Sequence, residues 1–531
     1  MKEGVMQTHD EETRKFFKHS SVTCVLAPRY VVGTLYTHHK KCLIVDSRSH
    51  GNNRKITAFL GGLDMCDGRY DTPQHRLFGD LDTVFKDDFH NPTFPPGKMA
   101  PRQPWHDLHC KIEGPTAYDV LMNFEQRWKK ATKWAEFGSR FKKISRWHDD
   151  ALIKIERISW INSPSQNVPR DDPSLWVTAE DYPENWHVQV FRSIDSGSLK
   201  GFPKSVHAAK KQNLVCAKNL VIDKSIQMAY IHAIRSAQHS IYIENQYFIG
   251  SSFAWPNYKS AGADNLIPIE LALKISSKIR ANERFTVYVG QTMQMMYAII
   301  AREINTTQID AHPTDCLNFY CLGNHEDHIE KQEPDMSCQT SNAVMLLTSH
   351  YFKKKLLIIQ LKYTFYQELP AMRYGRFMIY VHAKGMVVDD EYVIIGSANI
   401  NQRSMAGSRD TEIAMGAYQP HYTWSKRKEH PCGQVYGYRM SLWAEHLGNI
   451  KECFNKPESL ECVRHVNGIA EDNWRRYMTE QFTPLQGHIL KYPVRIDSNG
   501  KVKPLPGQET FPDVSGKVLG APSSLPDALT T

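Results

Sequence analysis

The chain has 531 residues, with 65 Lys and Arg against 57 Asp and Glu, for a formal net charge of +8. That length can bury a large core and suits roughly two to four domains, or one architecture built from repeated halves. A mild excess of charge excludes a nucleic-acid tail and leaves a membrane surface or a phosphate-bearing molecule open as partners. Eleven cysteines without a Cys-x-x-Cys pair argue against a zinc site and a disulfide framework, and suit a reducing compartment.

In chain order, the opening MKEGVMQTHDEETRKFF alternates charges with no apolar stretch, so it reads as neither a signal nor a transit peptide. Next, THHKKCLIVD (Thr37 to Asp46) sets His39, Lys41 and Asp46 around an apolar run in the spacing His-x-Lys-x-x-x-x-Asp. A polar loop, SRSHGNNRK, follows, and then a strand, ITAFLGGLD (Ile56 to Asp64), that runs into Gly, a small residue and a polar side chain. In DKSIQMAYIHAIRSAQHSIYIENQYFIG, the residues Ile226, Ala229, Tyr230, Ala233 and Ile234 fall on one helical face behind a Ser or Asp cap, with a strand at Ile241 to Ile243. NLIPIELALKISSKIRANERFTVYV repeats the plan, with Pro268 in the first turn and Phe285 to Val289 as the strand.

VHAKGMVVDD (Val381 to Asp390) then restates the first motif with His382, Lys384 and Asp389, and EYVIIGSAN (Glu391 to Asn399) restates the strand after it. The copies stand too far apart for a solenoid period. The expected fold is therefore α/β: two similar halves, each a β-sheet flanked by helices, sharing one active site at their interface. The halves are expected at 1–200 and 201–420, with the motifs at about 33–68 and 377–404. A Pro- and Gly-rich C-terminal region, 421–531, is expected to wrap over the core. No apolar run reaches membrane-spanning length, since even MLLTSHYFKKKLLIIQL is cut by lysines, so the reading is a cytoplasmic protein that meets membranes peripherally.

Within each motif the His and Lys, two residues apart on a strand, point to one face and can meet one ligand. That geometry suits a phosphodiester. The lysines would neutralise non-bridging oxygens, and Ser397 and Asn399 would add donors. One neutral histidine can attack phosphorus while the other, protonated, gives its proton to the leaving alkoxide. Asp46 and Asp389 are expected to brace local loops. To hold the histidine tautomers, the acids after each strand are the candidates: Asp64 in the first half, Glu412 or Asp410 in the second.

Through these residues the sequence resembles the phospholipase D superfamily, whose hallmark is the duplicated motif. GGLDMCDGRYDTPQHRLF, PWHDLHCKIEGPTAYDV, IYIENQYFIGSSFAW and FMIYVHAKGMVVDDEYVIIGSANINQRSM are similar to the plant enzymes, and the ending LPDALTT to their delta class. The resemblance implies cleavage of phosphatidylcholine and related lipids to phosphatidic acid and free head group at a membrane, the plasma membrane among them, usually with calcium. It implies His39 as nucleophile, His382 as acid and base, Lys41 and Lys384 as phosphate clamps, Gln246 as a substrate contact, and His75, His109 and Glu445 as calcium positions. Histidines are unusual calcium ligands.

The paired motif fixes the reaction and not the substrate, so a nuclease, a phospholipid synthase or a truncated lipid-binding product are the alternatives. The low charge and IENQYFIGSSFAW favour the lipid enzymes, and no nucleic-acid partner is expected. Oligomeric state cannot be read from the sequence. Three departures from the plant pattern stand out: the family's N-terminal β-sandwich is missing, the strand ending at Val289 runs straight into a helix, and Asn342 to Gly375 matches no family segment.

Overall fold

The computed structural model describes residues 10–27, 29, 36–49, 53–91, 101–138, 182–217, 219–250, 252–255, 262–289, 293–327, 370–514 and 516–519. The stretch just after Val289 and residues 342–369 of the unfamiliar segment lie outside these.

The strands in chain order are β1 (Lys41–Arg48), β2 (Arg54–Gly61), β3 (Trp105–His106), β4 (His109–Ile112), β5 (His187–Asp195), β6 (Val215–Ala217), β7 (Leu220–Lys224), β8 (Ser240–Asn245), β9 (Thr286–Val289), β10 (Leu317–His325), β11 (Arg376–Met378), β12 (Tyr380–Val381), β13 (Lys384–Val388), β14 (Tyr392–Gly396), β15 (Glu412–Tyr418) and β16 (Ile489–Lys491). The fold is α/β, as its alternating patterns dictate, but the two sheets are unequal. β1, β2 and β4 make a three-stranded sheet, while an eleven-stranded sheet runs β11-β10-β9-β8-β13-β14-β15-β5-β7-β6, with β16 on β10. β5 pairs with β15 along its length, so the strand before residue 200 belongs to the sheet of the second half.

The repeat is visible as two antiparallel three-strand units, β1-β2-β4 and β13-β14-β15. In each, the motif lysine begins the first strand. Lys41 stands opposite Gly61 in one, and Gly385 opposite Ile395 in the other. Alternation carries the packing between the units: Ala58 and Leu60 of the small sheet, with Leu108 just before β4, meet Val387, Val393, Ile395, Ile413 and Met415 of the large one, with Ala383 just before β13, in a shared core. This face-to-face contact brings the motif ends together.

The helix Ser225–Ser236 buries Ile226, Tyr230, Ala233 and Ile234 against the opposite face of the large sheet, as the 3.6-residue spacing requires. Asp223 accepts from the Ser225 N–H at its start. The helix Ile267–Arg280 begins with Pro268 in its first turn and ends ahead of β9, which pairs in parallel with β8 and β10. Beyond the second unit, the helices Gln434–Leu447 and Leu460–Met478 pack Trp443, Leu447, Val463 and Ile469 over Tyr288 and Leu322. The C-terminal region thus covers the parallel strands, and β16 joins their edge.

Candidate active site

His39 lies two residues before β1, and His382 stands in the same relation to β13. Each is fixed by one backbone and one side-chain contact, and both come from the other half. The His39 N–H donates to the Thr411 carbonyl at 3.1 Å, and the next residue, Glu412, receives the His39 ring Nδ1 at 3.0 and 3.1 Å on its two oxygens. Correspondingly, the His382 N–H donates to the His106 carbonyl at 2.7 Å, and the next residue, Asp107, receives His382 Nδ1 at 2.7 Å. Both carboxylates sit at the head of the third strand of their unit. With Nδ1–H committed to a carboxylate, each ring presents Nε2 as its reactive atom.

The lysines follow the same symmetry. Lys41 Nζ donates to the carbonyl of His39 at 2.7 Å, and Lys384 Nζ donates to that of His382. Lys41 also stands 3.6 Å from Asp64, while Lys384 donates to Gln246 Oε1 at 2.8 Å. Gln246 in turn donates from Nε2 to the Tyr380 hydroxyl at 2.6 Å. Trp105 packs against both Tyr380 and His382 with ring centres 4.8 Å apart, and Arg69 stacks on its face at 3.9 Å.

Electrostatics place the two halves in one site. Burial lowers the pKa of Lys384 to about 7, with the Lys41 charge lowering it further against Asp107, Glu412 and Asp64. Burial likewise lowers His382 to about 4, where the Asp107 hydrogen bond opposes the charges of Lys384 and Lys41. Burial pushes the Glu412 carboxyl up, but His39, Lys41 and Ser397 more than offset it, so Glu412 is held ionised. The Lys41 charge acts on Lys384, so the two lysines stand near enough for one anion to offset both.

Several sequence expectations change on this geometry. Asp64 and Asp410 hold no catalytic imidazole: Asp64 neighbours Lys41, and Asp410 accepts from Thr37 N and Arg403. Glu412 does hold one, but it is His39 of the opposite half. Ser397, fully buried, donates to Glu412 at 2.6 Å, so it supports the carboxylate rather than offering its proton outward. Asn399 is buried, and its Oδ1 has no partner among the described residues. Asp46 pairs with Arg54 at 2.5 Å on the exposed side of the hairpin, and Asp389 accepts the N–H groups of Gln238, His239 and Ser240 at 2.6 to 2.9 Å. Both motif aspartates therefore face away from the lysines and shape turns.

Asp107 escaped sequence reasoning because it belongs to neither motif copy. A signal existed in Gly62: a Cβ there would lie 2.0 Å from Asp107 Oδ1, so the glycine in the first copy makes room for a carboxylate where the second copy carries Ser397.

The expected metal positions also shift by one histidine. His75, His106 and Glu445 cluster, with His75 Nε2 and His106 Nδ1 each 3.1 Å from Glu445 Oε1. His109 stands apart from them, its buried Nδ1 without a partner among the described residues. The cluster continues through His106 to Glu244 (2.6 Å) and on to His446 (2.8 Å), while His75 Nδ1 pairs with Asp71 at 2.9 Å. Burial opposes charge on His106, yet Glu244 and Glu445 raise it to about 10. Calcium takes about six to eight oxygen ligands, whereas this set offers two imidazoles and a single carboxylate that both rings already share. The donors do not fit calcium, and the arrangement stands as a buried chain of histidine–carboxylate pairs.

Comparison with known proteins converges on the same features. A model of the phospholipase D family matches residues 1–290 and 288–520. Phospholipase D delta of Arabidopsis thaliana is 60% identical over 99% of this chain and 64% of its own length. Phospholipase D beta 1 of the same plant is 52% identical over 99% of this chain and 49% of its own, and phospholipase D alpha 1 of Nicotiana tabacum 44% identical over 100% and 65%. The chain thus spans less than two thirds of the length of these relatives. With two His-x-Lys motifs meeting across a pseudo-symmetric pair of strand units, and with these matches along its whole length, the chain belongs to the phospholipase D family.

Proposed function

We propose that the chain hydrolyses the distal phosphodiester of phosphatidylcholine and related glycerophospholipids, releasing phosphatidic acid and the head-group alcohol. The observation that supports this is the reciprocal pairing of His39 with Glu412 and His382 with Asp107, which commits each Nδ1 and leaves Nε2 as the reacting atom, beside Lys41 and Lys384, each of which donates to the carbonyl of its own motif histidine. A phosphodiester anion there is clamped by the lysines. His39 Nε2 attacks phosphorus, the bond from phosphorus to the head-group oxygen breaks, and His382 Nε2–H protonates that oxygen. Water then gives a proton to His382 and attacks phosphorus, the P–N bond breaks, and His39 is restored.

His382 is neutral in the free protein near pH 7, so its acid role depends on order. The substrate's negative charge offsets Lys41 and Lys384, two of the groups that depress its pKa, and raises it toward protonation. The acid is thereby armed by the bound phosphate.

Contact with the bilayer is peripheral in this reading. Among the described residues no helix is long and apolar enough to cross a membrane. The segments after Asp64 and Gln246 expose Met65 (86%) and Tyr247 (46%), apolar groups suited to a lipid surface such as the cytoplasmic face of the plasma membrane.

Mass spectrometry of a rapidly quenched His382→Asn variant tests the mechanism. It should find the phosphatidyl group on His39, and ethanol should divert product to phosphatidylethanol in the unmodified protein. A phosphatidyl group on His382 of a His39→Asn variant, or an active preparation whose product is unchanged across an ethanol series, would refute the assignment.

A further inference from the structure

The histidine–carboxylate chain around β3 does not suit calcium, but its donors suit another class of ion. Three imidazoles turn one nitrogen each toward Glu445. His75 Nε2 and His106 Nδ1 stand 3.1 Å from Glu445 Oε1, and His446 Nδ1 stands 4.0 Å from the same oxygen. The other nitrogen of each ring is held by a carboxylate: His75 Nδ1 by Asp71 at 2.9 Å, His106 Nε2 by Glu244 Oε2 at 2.6 Å, and His446 Nε2 by Glu244 Oε1 at 2.8 Å. All three histidines are buried, while the Glu445 side chain is 21% exposed and opens the cluster to solvent.

A chain of charged imidazoles explains only part of this. His75 and His106 can share protons with Glu445, but His446 Nδ1 is buried and has no hydrogen-bond partner among the described residues. A ring that donates from Nε2 to Glu244 carries a bare lone pair on Nδ1, the form in which imidazole binds a metal. A carboxylate behind the ring is also the usual support of a metal-bound histidine, because it fixes the tautomer and raises the basicity of the ligating nitrogen. Here every ring has one.

Donor chemistry chooses the ion. Imidazole suits zinc and its neighbours, the set holds no thiolate, and a single carboxylate is too little oxygen for calcium or magnesium. Zinc bonds of about 2.0–2.1 Å place tetrahedral ligands roughly 3.3 Å apart. The two separations of 3.1 Å are already close to that, and the one of 4.0 Å asks for a small closure by His446.

We propose that His75, His106, His446 and Glu445 form a zinc site, and that the ion fastens the helix Gln434–Leu447 to β3. Glu445 and His446 belong to that helix, His106 to β3, and His75 to the segment between β2 and β3. Zinc takes the place of the protons that His75 and His106 share with Glu445, and those protons leave to solvent. The His106 carbonyl and the next residue, Asp107, orient His382, so the ion braces that histidine without touching it.

The test uses the metal alone. A chain stripped with a chelator and dialysed should take up a single zinc per molecule by elemental analysis, melt at a higher temperature with zinc than without, and give with Co(II) the intense visible bands of a tetrahedral ion. Changes behind a ligating histidine cost about 10- to 100-fold in metal affinity, so His446→Asn and Glu445→Gln, which each remove a ligand, should cost at least that. Melting curves show whether each variant folds, and where one does not, the Co(II) spectrum of the parent chain decides. Zinc held as tightly by a folded His446→Asn protein as by the parent, a weak octahedral Co(II) spectrum, or a melting temperature raised by calcium and not by zinc would each overturn the assignment. Metal uptake and melting are read whether or not the chain hydrolyses lipid, so this outcome is separate from that of the function proposed above.

Discussion

Replacing Glu412 by Gln changes one atom and should remove most of the activity. The Glu412 side chain is fully buried and receives three donors: His39 Nδ1 across both oxygens at 3.0 and 3.1 Å, Ser404 Oγ on Oε1 at 2.7 Å, and Ser397 Oγ on Oε2 at 2.6 Å. An amide puts an N–H where one oxygen stood. Either serine can turn and accept from it, so the packing survives. His39 cannot adapt so cheaply. Its Nδ1 sits between both positions, and an N–H facing it favours the tautomer with the proton on Nε2, the atom proposed to attack phosphorus. The lost charge also no longer offsets the positive charge that grows on the imidazole as the P–N bond forms.

A neutral hydrogen bond alone is worth about 1 kcal/mol, roughly fivefold in rate. Losing the orienting carboxylate of a catalytic histidine costs about 10⁴ in a serine protease triad. Here His39 keeps its backbone bond to Thr411, and we expect a fall of about 10² to 10⁴ in phosphohistidine formation, or ~3–5 kcal/mol. Lys41 should bind phosphate less well too, since Glu412 is the group that most supports its charge. Choline release from phosphatidylcholine vesicles, with rapid-quench capture of phosphohistidine and a melting curve for each variant, measures this. A Glu412→Gln protein that melts as the parent does and forms phosphohistidine within threefold of its rate would refute the reasoning.

Three further outcomes follow from the same electrostatics. Because Lys384 has a pKa near 7 in the free protein, kcat/KM should fall as pH rises above about 7, and Lys384→Arg, weaker overall, should hold its activity to higher pH; parallel alkaline limbs would count against the clamp. The His382 pKa is depressed from 6.5 to about 4, so the unfolded chain takes up a proton that the folded chain refuses. Stability is then fully present above pH 6.5 and falls between about 6.5 and 4 by up to roughly 3 kcal/mol, a loss that denaturant titration should find reduced in His382→Asn, and an unchanged slope would show the ring is not buried as described. Asp390→Ala should cost about 3–5 kcal/mol by leaving the buried Arg439 guanidinium, now paired at 2.5 and 2.7 Å, without its carboxylate, and a loss under 1 kcal/mol by the same titration would refute it.

The sequence made the two motifs and their strand units legible because a period of two residues and a repeated spacing are local properties. Helices such as Ser225–Ser236 were legible for the same reason, through the apolar stripe at Ile226, Tyr230, Ala233 and Ile234. What stayed hidden was non-local. Nothing in the spacing says that Glu412 serves His39 or that Asp107 serves His382, since those pairings are fixed by parallel backbone contacts across 373 and 275 positions. Sequence proximity points to Asp64 for the first motif, whereas the structure sets Asp64 beside Lys41 and gives His39 to Glu412. The unequal sheets were equally invisible, because β5 reads as a first-half strand until β15 is seen to pair with it.

The crossed pairing also decides what positions His382. Among the described residues, β11 and β12 lead the chain into His382. β11 is held antiparallel on β10, with Met378 opposite Gly323, and β12 lies in parallel on β3, with Val381 opposite His106. The His382 N–H then locks to the His106 carbonyl, and its ring to Asp107. A connection that varies upstream of Arg376 therefore feeds into two registered strand pairings before it can displace the imidazole. The same contacts tie the halves together, since each supplies the backbone carbonyl and the carboxylate that fix the other's histidine. Each half's histidine is oriented by the other, so a change that shifts one half against the other by even about 1 Å acts on both steps of the proposed reaction at once and should lower the rate on the order of a hundredfold.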